Sequence, residues 1–165
     1  MYTILGATGN IGSFINEKLL GKGEQVRVVG RSASRLRPFV QRGAEAFVAD
    51  VNHADALTKA LAGRAAFLMI PPNLASPDYR DEHEADSTAI VSAAKNAGLA
   101  CAVNLSSIGA QIPAGIEPIA GLQQFEKKLD GLERLNILHL RPAFFMENYL
   151  GAIEMIRVMG TLARP

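Results

Sequence analysis

A second cysteine is missing. Cys101 stands alone, so no disulfide closes within the chain. No cationic, apolar leader ending in small residues opens the sequence, and both absences point to a reducing cytoplasm. Long apolar runs are missing too: stretches such as Ala65–Ile70 fall far short of the roughly 20 residues a spanning helix needs, so no membrane partner is expected. Nor is there an excess of charge. The 17 basic and 16 acidic residues leave +1, no bulk field for nucleic acid, and Lys127, Lys128 and Arg134 form no continuous basic stripe. His53, His83 and His139 are isolated from one another, so no metal site is expected. The cluster Asp81-Glu82-His83-Glu84 reads as a solvated helix start, because adjacent helical residues diverge around the axis and cannot converge on an ion. Cys101, inside an apolar run, reads as an inert core residue.

What is present is a chain of 165 residues, 48% hydrophobic and 20% charged, enough for one core and hence one domain over 1–165 or a piece of a larger one. Six short apolar runs alternate with helix-like segments: Tyr2–Gly6, Gln25–Gly30, Ala44–Val48, Ala65–Ile70, Leu99–Leu105 and Asn136–Leu140. That alternation is the signature of an α/β fold with a mostly parallel sheet. Val26–Val29 and Ala66–Ile70 are apolar nearly throughout, as strands covered on both faces tend to be. Helices are expected over the segment carrying Ile11, Phe14, Ile15 and Leu19, over Tyr79–Gly98 with an alanine stripe at 85, 89, 93 and 97, over Ile119–Leu132, and over Glu147–Met159. Ser106–Pro118 reads as a long loop. Met146, Met155 and Met159 read as packing residues.

The chemistry concentrates after the first run. Gly6-Ala7-Thr8-Gly9-Asn10-Ile11-Gly12 places three glycines between a strand and an amphipathic helix. Glycine permits positive φ and close backbone approach, so such a loop can wrap a pyrophosphate against the amides and dipole of the following helix. Thr8, Asn10 and Ile11 would line that cradle; a merely structural turn is the alternative. At the end of the second run, where an acid selects a ribose 2′-hydroxyl and an arginine a 2′-phosphate, stand Arg31 and, one turn later, Arg35. This favours NADP(H) over NAD(H), the alternative being a solvated helix start.

Taken together, Gly6–Gly12, Gly30-Arg31, Ala49-Asp50-Val51, Asn104–Gly109 and Leu140–Asn148 resemble the NmrA-like group of atypical short-chain dehydrogenases/reductases, from Met1 to about Met159. The resemblance implies a three-layer, doubly wound Rossmann fold with six parallel strands in the order 3-2-1-4-5-6. It also implies contacts from Asp50 and Val51 to the adenine side of the dinucleotide, with Ile70, Pro71 and Pro72 beside the ribose and nicotinamide and Ser106 and Pro142 near the nicotinamide. Asp50 read by itself is equally a helix N-cap. Relatives continue beyond the position of Pro165 with a substrate-covering lobe. The chain is therefore expected to be truncated relative to the family, with an open edge near Ile153 and Ile156 that a homo-oligomer would cover.

The same resemblance bears on catalysis. Related reductases use a Tyr-x-x-x-Lys pair, but none of Tyr2, Tyr79 and Tyr149 has a lysine four residues later; Gln124 and Lys128 stand at that place. Ser106 or Ser107 matches the serine that binds a substrate carbonyl in active relatives, and is otherwise a turn former. Ser106, Ser107 and Lys128 are thus the candidate catalytic residues. Two functions follow: a reductase passing hydride from NADPH to a small carbonyl or quinone-like acceptor, or a non-catalytic NADP(H)-sensing module acting through a protein partner.

Overall fold

The computed structural model describes residues 1–63, 65–70, 76–112 and 119–160. Strands and helices alternate: β1 (Tyr2–Ile4), α1 (Asn10–Leu20), β2 (Val26–Gly30), α2 (Ala33–Val40), β3 (Glu45–Val48), α3 (Ala54–Ala60), β4 (Ala65–Leu68), α4 (Tyr79–Asn96), β5 (Cys101–Leu105), α5 (Ala120–Asp130) and β6 (Asn136–Leu140). A 3-10 helix (Met146–Ala152) and a short α6 (Ile153–Met159) follow. Each helix up to α5 carries the chain back across the sheet, so every strand pairing is parallel. The strand order is β3-β2-β1-β4-β5-β6, as the sequence reading expects. Winding changes direction between β1 and β4, which opens a crevice at the carboxyl ends of the central strands.

Alternate residues of one strand point to opposite faces, and here they feed two separate cores. Leu5, Val29, Ala66, Leu68 and Ala102 meet Leu57 of α3, Ile90 and Ala93 of α4, and Phe125 and Leu129 of α5. On the other face Ile4, Val26, Val28 and Phe67 meet Leu36 of α2 and the Ile11, Ile15 and Leu19 stripe of α1. Burial of each such large side chain stabilises the fold by about 1.5–3 kcal/mol. The alanine stripe of α4 enters the core from Ala89 onward, Ala85 being exposed.

This second face is roofed over only part of its width. In β6, Ile137 and His139 turn toward α5, whereas Leu138 and Leu140 are 56% and 43% exposed. Cys101 lies on that same uncovered side at the start of β5, and its exposure corrects the expectation of a core cysteine: among the described residues no helix packs over it. The segment expected as one helix over Glu147–Met159 instead begins as a 3-10 turn. Met146, Leu150, Val158 and Met159 are exposed, so little packing favours one regular helix, and Gly151 weakens it further. The reading of Met146 and Met159 as packing residues fails for the same reason.

Candidate functional site

The site is built from the turn that follows β1. The chain bends at Gly6, whose φ of 66° lies in the left-handed region, and a side chain there would run into Met69. The Gly9 amide donates to the Gly6 carbonyl at 3.0 Å, closing the turn. Helix α1 then starts at Asn10 with Gly9 as its N-cap, no side-chain cap and no acid in its first turn. Gly12 lets this helix press against the turn: a Cβ there would overlap the Gly6 carbonyl oxygen and approach Ala7 Cα to 2.9 Å. Asn16, fully buried, donates its side-chain amide to the Ala7 carbonyl at 3.3 Å and ties the turn down. Uncapped first-turn amides, the positive end of a helix dipole and two glycines where a Cβ cannot fit make a cradle suited to a diphosphate.

On one side of the cradle lie the ends of β2 and β3, joined where the Ala49 amide donates to the Gly30 carbonyl at 3.2 Å. Arg31 follows β2 directly and is exposed, as is Arg35 in the first turn of α2, while the Ser32 and Ser34 hydroxyls share a 2.8 Å hydrogen bond. Asp50 follows β3, and Val51 packs against the core. The N-cap position of α3 is His53, which settles the helix-cap alternative for Asp50 against it. Asp86 of α4 belongs to this group. Its half-buried carboxyl is pushed up by burial and by the charges of Asp50 and Glu82, with Arg31 opposing. Sequence reasoning gave Asp86 no part in the site, because only the rotation of α4 brings its carboxyl near Asp50 and Arg31.

On the other side a cavity of about 680 Å³ opens. Its wall brings together Gly9, Asn10, Ile11, Gly12, Ile70, Ser106, Ser107 and Pro142, candidates drawn from four separate segments. Thr8 sits on the glycine turn beside it; Pro71 and Pro72 lie outside the described residues. The rest of the wall is largely apolar: Phe14, Met69, Leu105, Leu122 and Phe145 join Tyr79, His83, Glu147 and Asn148. Backbone bonds stitch the floor, Ser106 N–H to the Leu140 carbonyl at 2.7 Å and Ile108 N–H to the Pro142 carbonyl at 2.9 Å. Below it the buried Glu126 carboxylate accepts both arms of Arg141, at 2.9 and 2.6 Å. Burial alone would raise the Glu126 carboxyl, but the Arg141 bonds and the nearby Ser106 hydroxyl outweigh it and hold the group below its ordinary value.

The three catalytic candidates fare differently. Ser106 is 5% exposed and its Oγ has no partner at normal hydrogen-bonding geometry, while the Ser107 hydroxyl donates weakly to the Ile108 carbonyl at 3.3 Å. Lys128 is turned away from the cavity. Its ammonium donates to Glu84 at 2.6 Å, Ser87 at 2.9 Å and Thr88 at 3.0 Å, clasping α5 to α4, and those bonds hold the Glu84 carboxyl below its usual range. The position that matches a catalytic lysine is thus used as a structural pin. His83, read from sequence as part of a solvated cluster, is 5% exposed and lies in the cavity wall. The outward residues Asp81, Glu82 and Glu84 hid it, because only the helix register distinguishes it from them. Among the described residues no group of His, Cys, Asp and Glu side chains converges as a metal ion requires, and no helix is long and apolar enough to cross a membrane.

Comparison with known proteins gives this geometry a setting. A family model described as NAD(P)H-binding matches residues 6–131. An NAD(P)H azoreductase from Xenophilus azovorans is 28% identical over 167 residues, covering 100% of this chain and 55% of that protein. Triphenylmethane reductase from Citrobacter sp., solved with NADP(H), superimposes with a TM-score of 0.82 at 21% identity, over 96% of this chain and 54% of that one. An NADPH-dependent quinone oxidoreductase from Escherichia coli, solved with NADPH, gives 0.81 at 24% identity, over 97% and 55%. The chain therefore spans about half the length of these relatives.

Proposed function

The chain belongs to the NAD(P)H-binding family, and on that premise we propose that it is an NADPH-dependent reductase passing hydride to a small carbonyl or quinone-like acceptor. The observation that carries this reading is the meeting of a diphosphate cradle with a largely apolar cavity at the carboxyl edge of the sheet. The azoreductase, quinone oxidoreductase and triphenylmethane reductase it resembles all carry names of reductive chemistry.

The residues present fit the dinucleotide, since Gly6 and Gly12 leave the backbone approach a side chain would fill. Gly6, Thr8, Gly9, Asn10, Ile11 and Gly12 would hold the diphosphate, Arg31 and Arg35 a 2′-phosphate, Asp50 and Val51 the adenine side, and Ile70, Pro71, Pro72, Ser106 and Pro142 the nicotinamide. Arginine beyond β2, with no carboxylate at that strand end, supports NADP(H) over NAD(H). Once bound, a reduced nicotinamide supplies hydride; the protein's part is to orient it, exclude water and receive the acceptor against an apolar wall. The Ser106 hydroxyl, which makes no hydrogen bond of normal geometry within the protein, would donate to the acceptor's oxygen, with Ser107 beside it.

The exposed apolar residues of β6, the 3-10 helix and α6 support self-association as a homo-oligomer that roofs this side. An unpaired, exposed Cys101 suits a reducing, cytoplasmic setting. Gln124, where related reductases carry a tyrosine, favours a second reading, a non-catalytic NADP(H) sensor acting through a protein partner. Calorimetric titration with NADPH and NADH, followed by nicotinamide absorbance with a panel of quinones and azo dyes, separates the readings. Tight NADPH binding with turnover supports the reductase, binding without turnover the sensor, and the absence of heat with either nucleotide overturns both.

A further inference from the structure

His83 is the least explained polar side chain of the cavity. It projects from the second turn of α4 into the wall, 95% shielded, with its ring centroid 5.9 Å from that of Tyr79 one turn earlier. Room for it is made by Gly121 in the first turn of α5, where a Cβ would lie 2.8 Å from Nδ1 and 2.9 Å from Cε1. The ring is thus seated between two helices, yet its Nε2 has no hydrogen-bond partner. A shielded nitrogen without a partner is destabilising, and a catalytic role is one of the few explanations that a fold offers for keeping one. In the same wall the Ser106 hydroxyl faces the Glu126 carboxylate without a hydrogen bond of normal geometry. Burial, aided by Lys128 and opposed by Glu84, lowers the imidazole's affinity for a proton, so at neutral pH it is an uncharged ring with one N–H to offer.

Resting on the reductase reading above, we propose that His83 is a catalytic residue whose Nε2–H, together with the Ser106 hydroxyl, donates a hydrogen bond to the acceptor oxygen that becomes negative during reduction. It takes over the electrophilic part of the role that the absent tyrosine plays in related enzymes, in a shielded wall where a fixed donor acts strongly on developing charge. For a quinone the balance is simple. The acceptor gains one hydrogen with two electrons from the reduced nicotinamide, which ends oxidised, and one proton from water, and leaves as hydroquinone. His83 keeps its own proton throughout, so no imidazolate forms.

The test uses the whole chain with NADPH and 1,4-naphthoquinone. His83→Phe preserves the flat ring and removes the donor; His83→Gln restores an N–H. NADPH affinity, read by fluorescence, is expected to be unchanged in both, whereas kcat falls roughly 100-fold in His83→Phe, the scale of a lost oxyanion donor, and recovers at least partly in His83→Gln. Independently of turnover, the His83 ¹⁵N resonances in histidine-labelled protein are expected to shift when naphthoquinone is added to the NADP⁺ complex. Turnover that survives His83→Phe, or imidazole resonances indifferent to the quinone, overturns the proposal. A wild-type chain that binds NADPH but reduces no acceptor overturns the reductase reading instead. Should His83→Phe fail to fold by circular dichroism, the glutamine variant and the resonance shift decide.

Discussion

The two halves of the sheet are built to different degrees. Around β2 and β1 both faces are roofed, by α1 and α2 on one side and by α3 and α4 on the other, and Val26, Val28 and Val29 are buried almost completely, only the edge strand β3 leaving Val48 open. Around β5 and β6 only the α4–α5 face is closed; on the other, Cys101, Leu138 and Leu140 reach solvent. The difference separates two tasks. The half that would grip the nucleotide is complete within the first hundred residues, whereas the acceptor side rests on elements that find few partners in this chain.

Substitutions can break or sharpen that contrast. Phe125→Ala empties the one closed face of the weaker half; with Phe125 wholly buried, a loss of about 3–5 kcal/mol is expected in urea unfolding. A loss under 1 kcal/mol would mean that α5 is not integral to the core. Gly12→Ala strikes the complete half, where the new methyl overlaps the Gly6 carbonyl. It should lower stability by about 1–3 kcal/mol and abolish the calorimetric signal with NADPH, the second effect being the more specific. Arg31→Asp should weaken NADPH by about 1.5–3 kcal/mol with little effect on NADH, and equal losses would displace the 2′-phosphate from this arginine.

A smaller effect tests the seam between the halves. His83 has its proton affinity lowered from the ordinary value of 6.5, so below that pH the unfolded chain takes up a proton that the folded chain resists. Stability is accordingly present above 6.5 and drains away as pH falls toward the folded value, before Glu126, held below 4.5, begins to contribute its own loss. His83→Phe should flatten the first of these two slopes and leave the second. The smallest effect belongs to Leu138→Glu: at 56% exposure it should change monomer stability by no more than about 0.5 kcal/mol, yet reduce self-association in sedimentation. A chain that sediments as a monomer before the change would refute the proposed homo-oligomer.

Much of this was legible in the residues. The apolar runs of β1 to β6 and the Gly6–Gly12 turn depend on local rules, periodicity and φ preferences, and each stands where the sequence reading puts it. Asp86, His83 and Lys128 were not legible, because their roles depend on which way a helix is rotated against its neighbours. On α4 the exposed Glu82 and the buried His83 are adjacent, and only packing tells them apart. Cys101 misled for a related reason: an apolar strand implies two covered faces, and the run itself does not say that one cover is missing. The 3-10 turn at Met146–Ala152 likewise reflects few neighbours among the described residues as well as the local effect of Gly151.

The Asn16 amide, fastened to the Ala7 carbonyl from inside the core, has a kinetic corollary. With the loop already held in shape, an incoming anion meets a mould that is set beforehand, so little chain freedom is surrendered at the encounter. Association should then proceed as a single fast phase whose rate follows nucleotide concentration without reaching a plateau. Loosening that one amide, as in Asn16→Ala, would introduce a slower folding-over of the loop after contact.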